Sequence, residues 1–152
     1  MASWHAGPST DRLIFADQAA VLEGCTVLAM RLKAGDDASC QNLYKPSQPR
    51  ILGVTPQMIA YFDDDKRPAR FAWSASAAKS ADEQANPWRL LATGTPADRP
   101  VPVVLDQNTA MYSLRLYGGV GQKFKVIYSD HTTVEFQVAG LLSNSVLQGN
   151  LL

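Results

Sequence analysis

The sequence predicts an α+β domain: a mixed sheet ending in a β-strand–helix–β-hairpin C-terminal unit, helices on one side, and room for a second small lobe from the central segment. Three observations carry that expectation. Between residues 100 and 142 the hydrophobic period runs from 2 to 3.6 and back to 2, which reads as strand, helix and hairpin in turn. Glycines and turn residues fall where the period changes. The chain of 152 residues, 46% of them hydrophobic, is long enough for one domain with a sizeable core.

In chain order, residues 25–32 (CTVLAMRL) and 50–54 (RILGV) read as strands. Thr55-Pro56 is a helix start, a capping hydroxyl followed by a proline at the first helical position, so 57–62 should be a short helix. Residues 63–70 form a charged connector. A strand is expected at 71–75, then weak helix or loop, then one more strand at 88–94 (WRLLATG). Residues 100–105 (PVPVVL) read as a buried strand whose prolines suit an edge or a strand start. Asp106 or Asn108 then caps a helix over 107–117, with Ala110, Met111, Leu114 and Tyr117 on its apolar face and Gly118-Gly119 as its stop. Phe124, Val126 and Tyr128 alternate with Lys123, Lys125 and Ile127, SDHTT turns the chain, and Val134, Phe136 and Val138 alternate with Glu135 and Gln137 in the returning strand.

Composition and motifs exclude several functions. Fourteen Lys and Arg balance fourteen Asp and Glu, which gives no footprint for nucleic acid or an anionic membrane surface. No window approaches the ~20 apolar residues that cross a bilayer. Met1 to His5 show neither the basic nor the apolar region of a signal peptide. Gly118-Gly119-Val120-Gly121 follows a helix and leads into a strand, the reverse of a dinucleotide loop, and reads as a turn. Counted from Asp63, the sixth residue is Pro68 and the twelfth Ser74, so the acids at 63–65 do not match a calcium loop. His5, His131, Cys25 and Cys40 lie in four separate segments and show no zinc spacing and no nucleophile–base pairing, so no catalytic, cofactor or metal residue is assigned. The tryptophans Trp4, Trp73 and Trp88 are expected in packing rather than as a ligand platform.

The most chemical-looking stretch is DDASCQNLYKPSQPRILGV, residues 36–54. Architecture is the leading reading: Asp36 and Asp37 bond neighbouring backbone amides in a turn after Gly35, Pro46 and Pro49 hold an extended run into Ile51, and Cys40, Leu43 and Tyr44 pack beneath. The alternative is a partner-contact loop made by Asp36, Asp37, Asn42 and Tyr44. A Cys25–Cys40 disulfide conflicts with that first strand: if 25–34 is extended, it carries the chain roughly 30 Å away, and six further steps bring it back at most about 20 Å. Buried thiols at Cys25 and Cys40 are the preferred reading.

Two stretches carry a resemblance. PVVLDQNTAMYSLRLYGGVGQKFKV followed by TTVEFQVAGLLSNS resembles the closing segment of the extracytoplasmic, MacB-like periplasmic core domain of FtsX-like ABC transporter permeases. The matching features are the strand at 103–105, the helix at 107–117, Gly121-Gln122 and the VAGLL of 138–142. GDDASCQNLYKPSQPRILGV is similar to a stretch found in a branch of these permeases. The resemblance implies a single extracytoplasmic domain over 1–152, with 1–10 as linker, inserted between two membrane helices of a bacterial inner-membrane protein and facing the periplasm. Leu151-Leu152, an apolar end, then reads as a cut through a longer chain. It also implies no catalysis and no cofactor in this domain. The partners it implies are a cytoplasmic ABC ATPase subunit, a second permease copy or homologue, and an extracytoplasmic protein or lipoprotein cargo. Residues 1–12 and 143–152 should lie together on one face. A free-standing periplasmic ligand- or protein-binding module is the rival expectation.

Overall fold

The computed structural model of the chain describes residues 25–36, 46–64, 66, 70–92, 98–128 and 130–152. Through them runs a mixed sheet of seven strands: β1 (Arg31–Lys33), β2 (Arg50–Gly53), β3 (Trp73–Ser76), β4 (Val101–Asp106), β5 (Lys123–Ile127), β6 (Thr133–Leu142) and β7 (Asn150–Leu151). In space they run β1-β2-β7-β4-β6, and β6 carries two strands end to end along its far side. β5 pairs antiparallel with residues 133–137 of β6, and β3 with 140–142. The ladder passes between them without a gap, since Val138 N–H donates to the Gln122 carbonyl (2.9 Å) and Ala77 N–H to the Ala139 carbonyl (2.8 Å). β4 and β6 are parallel, joined by the crossover that contains the helical turn and β5.

Pleating sends successive side chains to opposite faces, and the apolar residues at 51–52, 103–105, 141–142 and 151–152 are consecutive, so both faces of this sheet are buried. Ile51, Val103, Leu105, Leu141 and Leu151 face one core; Leu52, Val104, Leu142 and Leu152 face the other. This accounts for the apolar Leu151-Leu152. β7 lies between β2 and β4, Leu151 is fully buried, and Leu152 exchanges two backbone hydrogen bonds with Val104 (2.9 and 3.0 Å).

The first face is covered by the segment after β4. Of the two capping candidates Asp106 is the one that acts: its carboxylate accepts the Asn108 N–H at 2.9 Å and, from 39 residues away, the Ser145 N–H at 2.7 Å. The expected regular helix over 107–117 is instead a wide π-helical turn, Thr109–Ser113. Leu114 N–H reaches the Thr109 carbonyl and Leu116 N–H the Ala110 carbonyl. The widening turns Leu116 into the core and leaves Tyr117, which helical spacing placed on the apolar face, 74% exposed.

The second face is covered by α1 (Pro56–Asp63) and a 3-10 helix, Pro87–Leu91, with α2 (Ala81–Ala85) leading into the latter. Thr55 Oγ1 accepts the Met58 N–H and starts α1 as expected, burying Met58, Ile59 and Phe62. Helical elements therefore cover both sides of the sheet rather than one. The strand expected at 88–94 is corrected to the 3-10 helix: Asn86 Oδ1 accepts the Trp88 N–H, Pro87 sits in the first turn, and both favour a helical start. The described part of the central segment forms no separate lobe, because Phe71, Trp73 and Trp88 join Phe62 in one aromatic cluster on the sheet (Trp73–Trp88 centroids 5.1 Å, Phe71–Trp88 5.3 Å).

β1 is shorter than the expected strand over 25–32. Arg31 pairs with Gly53, so earlier residues would need partners beyond Gly53, and there the chain turns into the Thr55 cap and Pro56. Leu28 and Met30 pack on the second core without strand pairing. Residues 1–12, expected beside 143–152, lie outside the described residues.

Candidate functional site

Asp36 is the hub of the stretch that looked chemical. Its Oδ2 accepts three hydrogen bonds, from Ser47 N–H (3.0 Å), Ser47 Oγ (3.1 Å) and Gln48 N–H (3.1 Å). Its own N–H donates to the Gln48 carbonyl at 2.6 Å, and its carbonyl accepts the Arg50 N–H at 3.1 Å. The approach is close enough that a Cβ on Gly35 would collide with the Gln48 carbonyl oxygen, so only glycine fits at 35. The Gln48 N–H, then the Ser47 hydroxyl, hold the Asp36 carboxyl below the usual carboxylate range. An ionised carboxylate with its donors already supplied is a clamp, not a general base. The expectation that Asp36 bonds backbone amides is met, but the amides belong to residues 11 and 12 positions on, not to its own turn. Asp37, Asn42 and Tyr44 of the expected partner-contact loop lie outside the described residues, and so does Cys40. Cys25, expected to be buried, is exposed, because residues 25–30 have no strand partner among the described residues.

The clamp borders a seam. β1 and β5 lie at opposite ends of the strand order, yet Lys33 Nζ of β1 sits 4.3 Å above the ring of Tyr128, just after β5. The sheet thus curls into an incomplete barrel around the first core. Burial raises the Tyr128 phenol above its ordinary value, and its hydroxyl has no hydrogen-bond partner among the described residues. Beside it Asp130 is held low, first by the Thr132 N–H and in part by Lys33. Between Pro46, Ser47 and Pro49 on one wall and β5 on the other runs a groove of about 280 Å³ floored by Leu114 and Leu116. Sequence reading missed this seam. Its one local signal was the pair of prolines at 46 and 49, which lack an N–H with which to close the sheet.

A second concavity, about 350 Å³, lies between α1 and the 3-10 helix, lined by Val54, Pro56, Ile59 and Leu91. Asp63 and Arg89 close its rim through a two-pronged ion pair (2.9 and 3.0 Å), and Asn86 Nδ2 also donates to Asp63 at 2.7 Å. Arg89 chiefly, then Asn86, keep the Asp63 carboxyl low. Trp73 and Trp88 are packing residues of the second core, as expected, while Trp4 lies outside the described residues. The expected turn at 118–121 is present: the Gln122 side chain accepts the Gly118 N–H at 2.6 Å, and Gly119 and Gly121 take φ of 69° and 90°. His131 sits at φ 63° in the β5–β6 turn. Among the described residues no three His, Cys, Asp or Glu side chains gather as a metal-ligand set.

A scan against protein-family models finds no match. Searches among curated proteins and solved structures find no relative either.

Proposed function

We propose that this chain is a non-catalytic extracytoplasmic domain of an ABC transporter permease, which passes ATP-driven movement of membrane helices to a cargo or partner protein outside the membrane. The supporting observation is that the pieces of the C-terminal stretch that carries the resemblance form one contiguous unit. Residues 103–105 lie in β4, 107–117 form the turn over the first core, Gly121-Gln122 leads into β5, and 138–142 end β6, which pairs parallel with β4 along its length. A coupling element must also resist deformation. β7 suits that role, because the C-terminal residues enter the sheet at its centre and hold both β2 and β4, so a pull on Leu152 loads the whole sheet rather than peeling an edge. In this reading the ATPase subunit and the second permease copy lie on the membrane side, with the cargo on the far side.

The test is the full-length open reading frame and its activity. Apolar segments of ~20 residues on both sides of this domain, with an ATPase subunit whose coupled turnover in membranes survives a disulfide between β7 and β4 and falls when a substitution at Leu151 loosens β7, support the assignment. A signal peptide immediately before the domain and a stop codon soon after it would overturn the assignment in favour of a free-standing binding module.

A further inference from the structure

We propose that the unpaired edge of β5 is a strand-addition site for an extended segment of another protein in which acidic and apolar residues alternate. The inference goes beyond the permease reading and does not depend on it. Gln122 accepts the Val138 N–H and Tyr128 donates to Thr132, so the hydrogen-bonded pairs of the β5–β6 ladder fall at even positions of β5. The N–H and C=O groups of Lys123, Lys125 and Ile127 therefore point away from β6. Among the described residues none of them has a backbone partner. The facing wall has no N–H left to donate to their carbonyls. Pro46 and Pro49 have no N–H, and the N–H groups of Ser47, Gln48 and Arg50 are all taken by Asp36. The Asp36 clamp thus keeps the seam from closing on itself, and the groove floor of Leu114 and Leu116 offers apolar surface to every second side chain of an added strand.

Charge selects the occupant. Lys123 and Lys125 project on the outer face, opposite Phe124 and Val126. A second copy adding through the same edge would set lysine against lysine, which is the way edge strands are protected from self-association. A strand with carboxylates on its outer face gains instead the pairing that Lys125 already makes with Glu135 on β6 (4.0 Å). Residues 133–137 of β6, TVEFQ, are the built-in template: Val134 and Phe136 turn to the core and Glu135 outward. Ile127, 62% exposed on the outer face, extends the apolar contact at one end.

The test titrates the chain with labelled peptides of alternating valine and glutamate, or of valine and lysine, by fluorescence anisotropy, and follows amide hydrogen exchange. The glutamate peptide should bind at least about tenfold tighter than the lysine peptide and slow exchange at Lys123, Lys125 and Ile127. Lys125→Pro removes one outward N–H and leaves the β5–β6 ladder intact, so it should weaken binding about tenfold while the fold persists. The double variant Lys123→Glu/Lys125→Glu should reverse the peptide preference. Equal binding of the two peptides, edge amides already protected in the free monomer, or protection that appears only as the chain dimerises would each overturn the proposal.

Discussion

On the face covered by the turn after β4, every buried core side chain except Leu151 comes from residues 103–141; on the opposite face Met58, Phe62, Trp88, Leu142 and Leu152 are drawn from most of the described length. The first core is closed by neighbours in sequence, chiefly a hairpin and a tight crossover. The second needs a helix, a 3-10 helix and the last residues to meet before it exists. Local contacts form at low loop-closure cost and distant ones at high cost, so the first core should assemble early and the second late.

Truncation of the largest side chains tests this most severely. Phe136→Ala and Trp88→Ala, 3% and 1% exposed, should each cost about 3–5 kcal/mol in urea unfolding. Stopped-flow kinetics should separate them: Phe136→Ala slows folding, while Trp88→Ala mainly speeds unfolding. The opposite partition would sink the proposed order of assembly.

Gly140→Ala is next in size. A Cβ there would stand 2.6 Å from Trp73 Cζ3, and the overpacking should cost about 1–3 kcal/mol, localised to the second face in amide exchange. Ser80→Ala should cost about 1 kcal/mol. Helix α2 buries none of its five residues and depends on the capping box in which Ser80 Oγ accepts the Glu83 N–H and the Glu83 carboxylate the Ser80 N–H.

Smaller, and lost in acid, is the effect at Asp36. Its folded-state value is depressed, so its contribution to stability is present above the unfolded value of about 3.9 and is lost as the pH falls through the lower folded value. Asp36→Asn should therefore lower the unfolding midpoint near neutral pH, and the gap to the parent chain should narrow in strong acid; a pH-independent gap would show that the clamp does not act through its charge. Smallest of all, Lys66→Ala in the connector should leave the unfolding midpoint unchanged.

Legibility followed the same division. The β5–β6 hairpin, β4 and α1 could be read in advance because their periods, caps and glycines are local: Thr55 caps the helix three residues on, and Phe124 faces Phe136 across a short turn. The 3-10 helix at Pro87–Leu91 also has a local signal, a capping Asn86 followed by Pro87 in the first turn, beside an apolar run that reads equally as a strand. The Asp36 clamp has none, since nothing in the acids themselves says which amides they will meet 11 and 12 residues later.

By itself the sequence determined the α+β class, the order of strand, helical turn and hairpin between 100 and 142, and the start of α1, because these depend on hydrogen bonds and side-chain spacing within one turn or one hairpin. Only the tertiary structure decided that Leu116 rather than Tyr117 enters the core, that β1 begins only at Arg31, that Asn150–Leu151 forms a central strand, and that the sheet curls until Lys33 reaches Tyr128. Each of those outcomes turns on which distant surface an apolar or polar group buries against. Consecutive apolar residues such as Leu151-Leu152 are compatible with many such surfaces until the sheet between them exists.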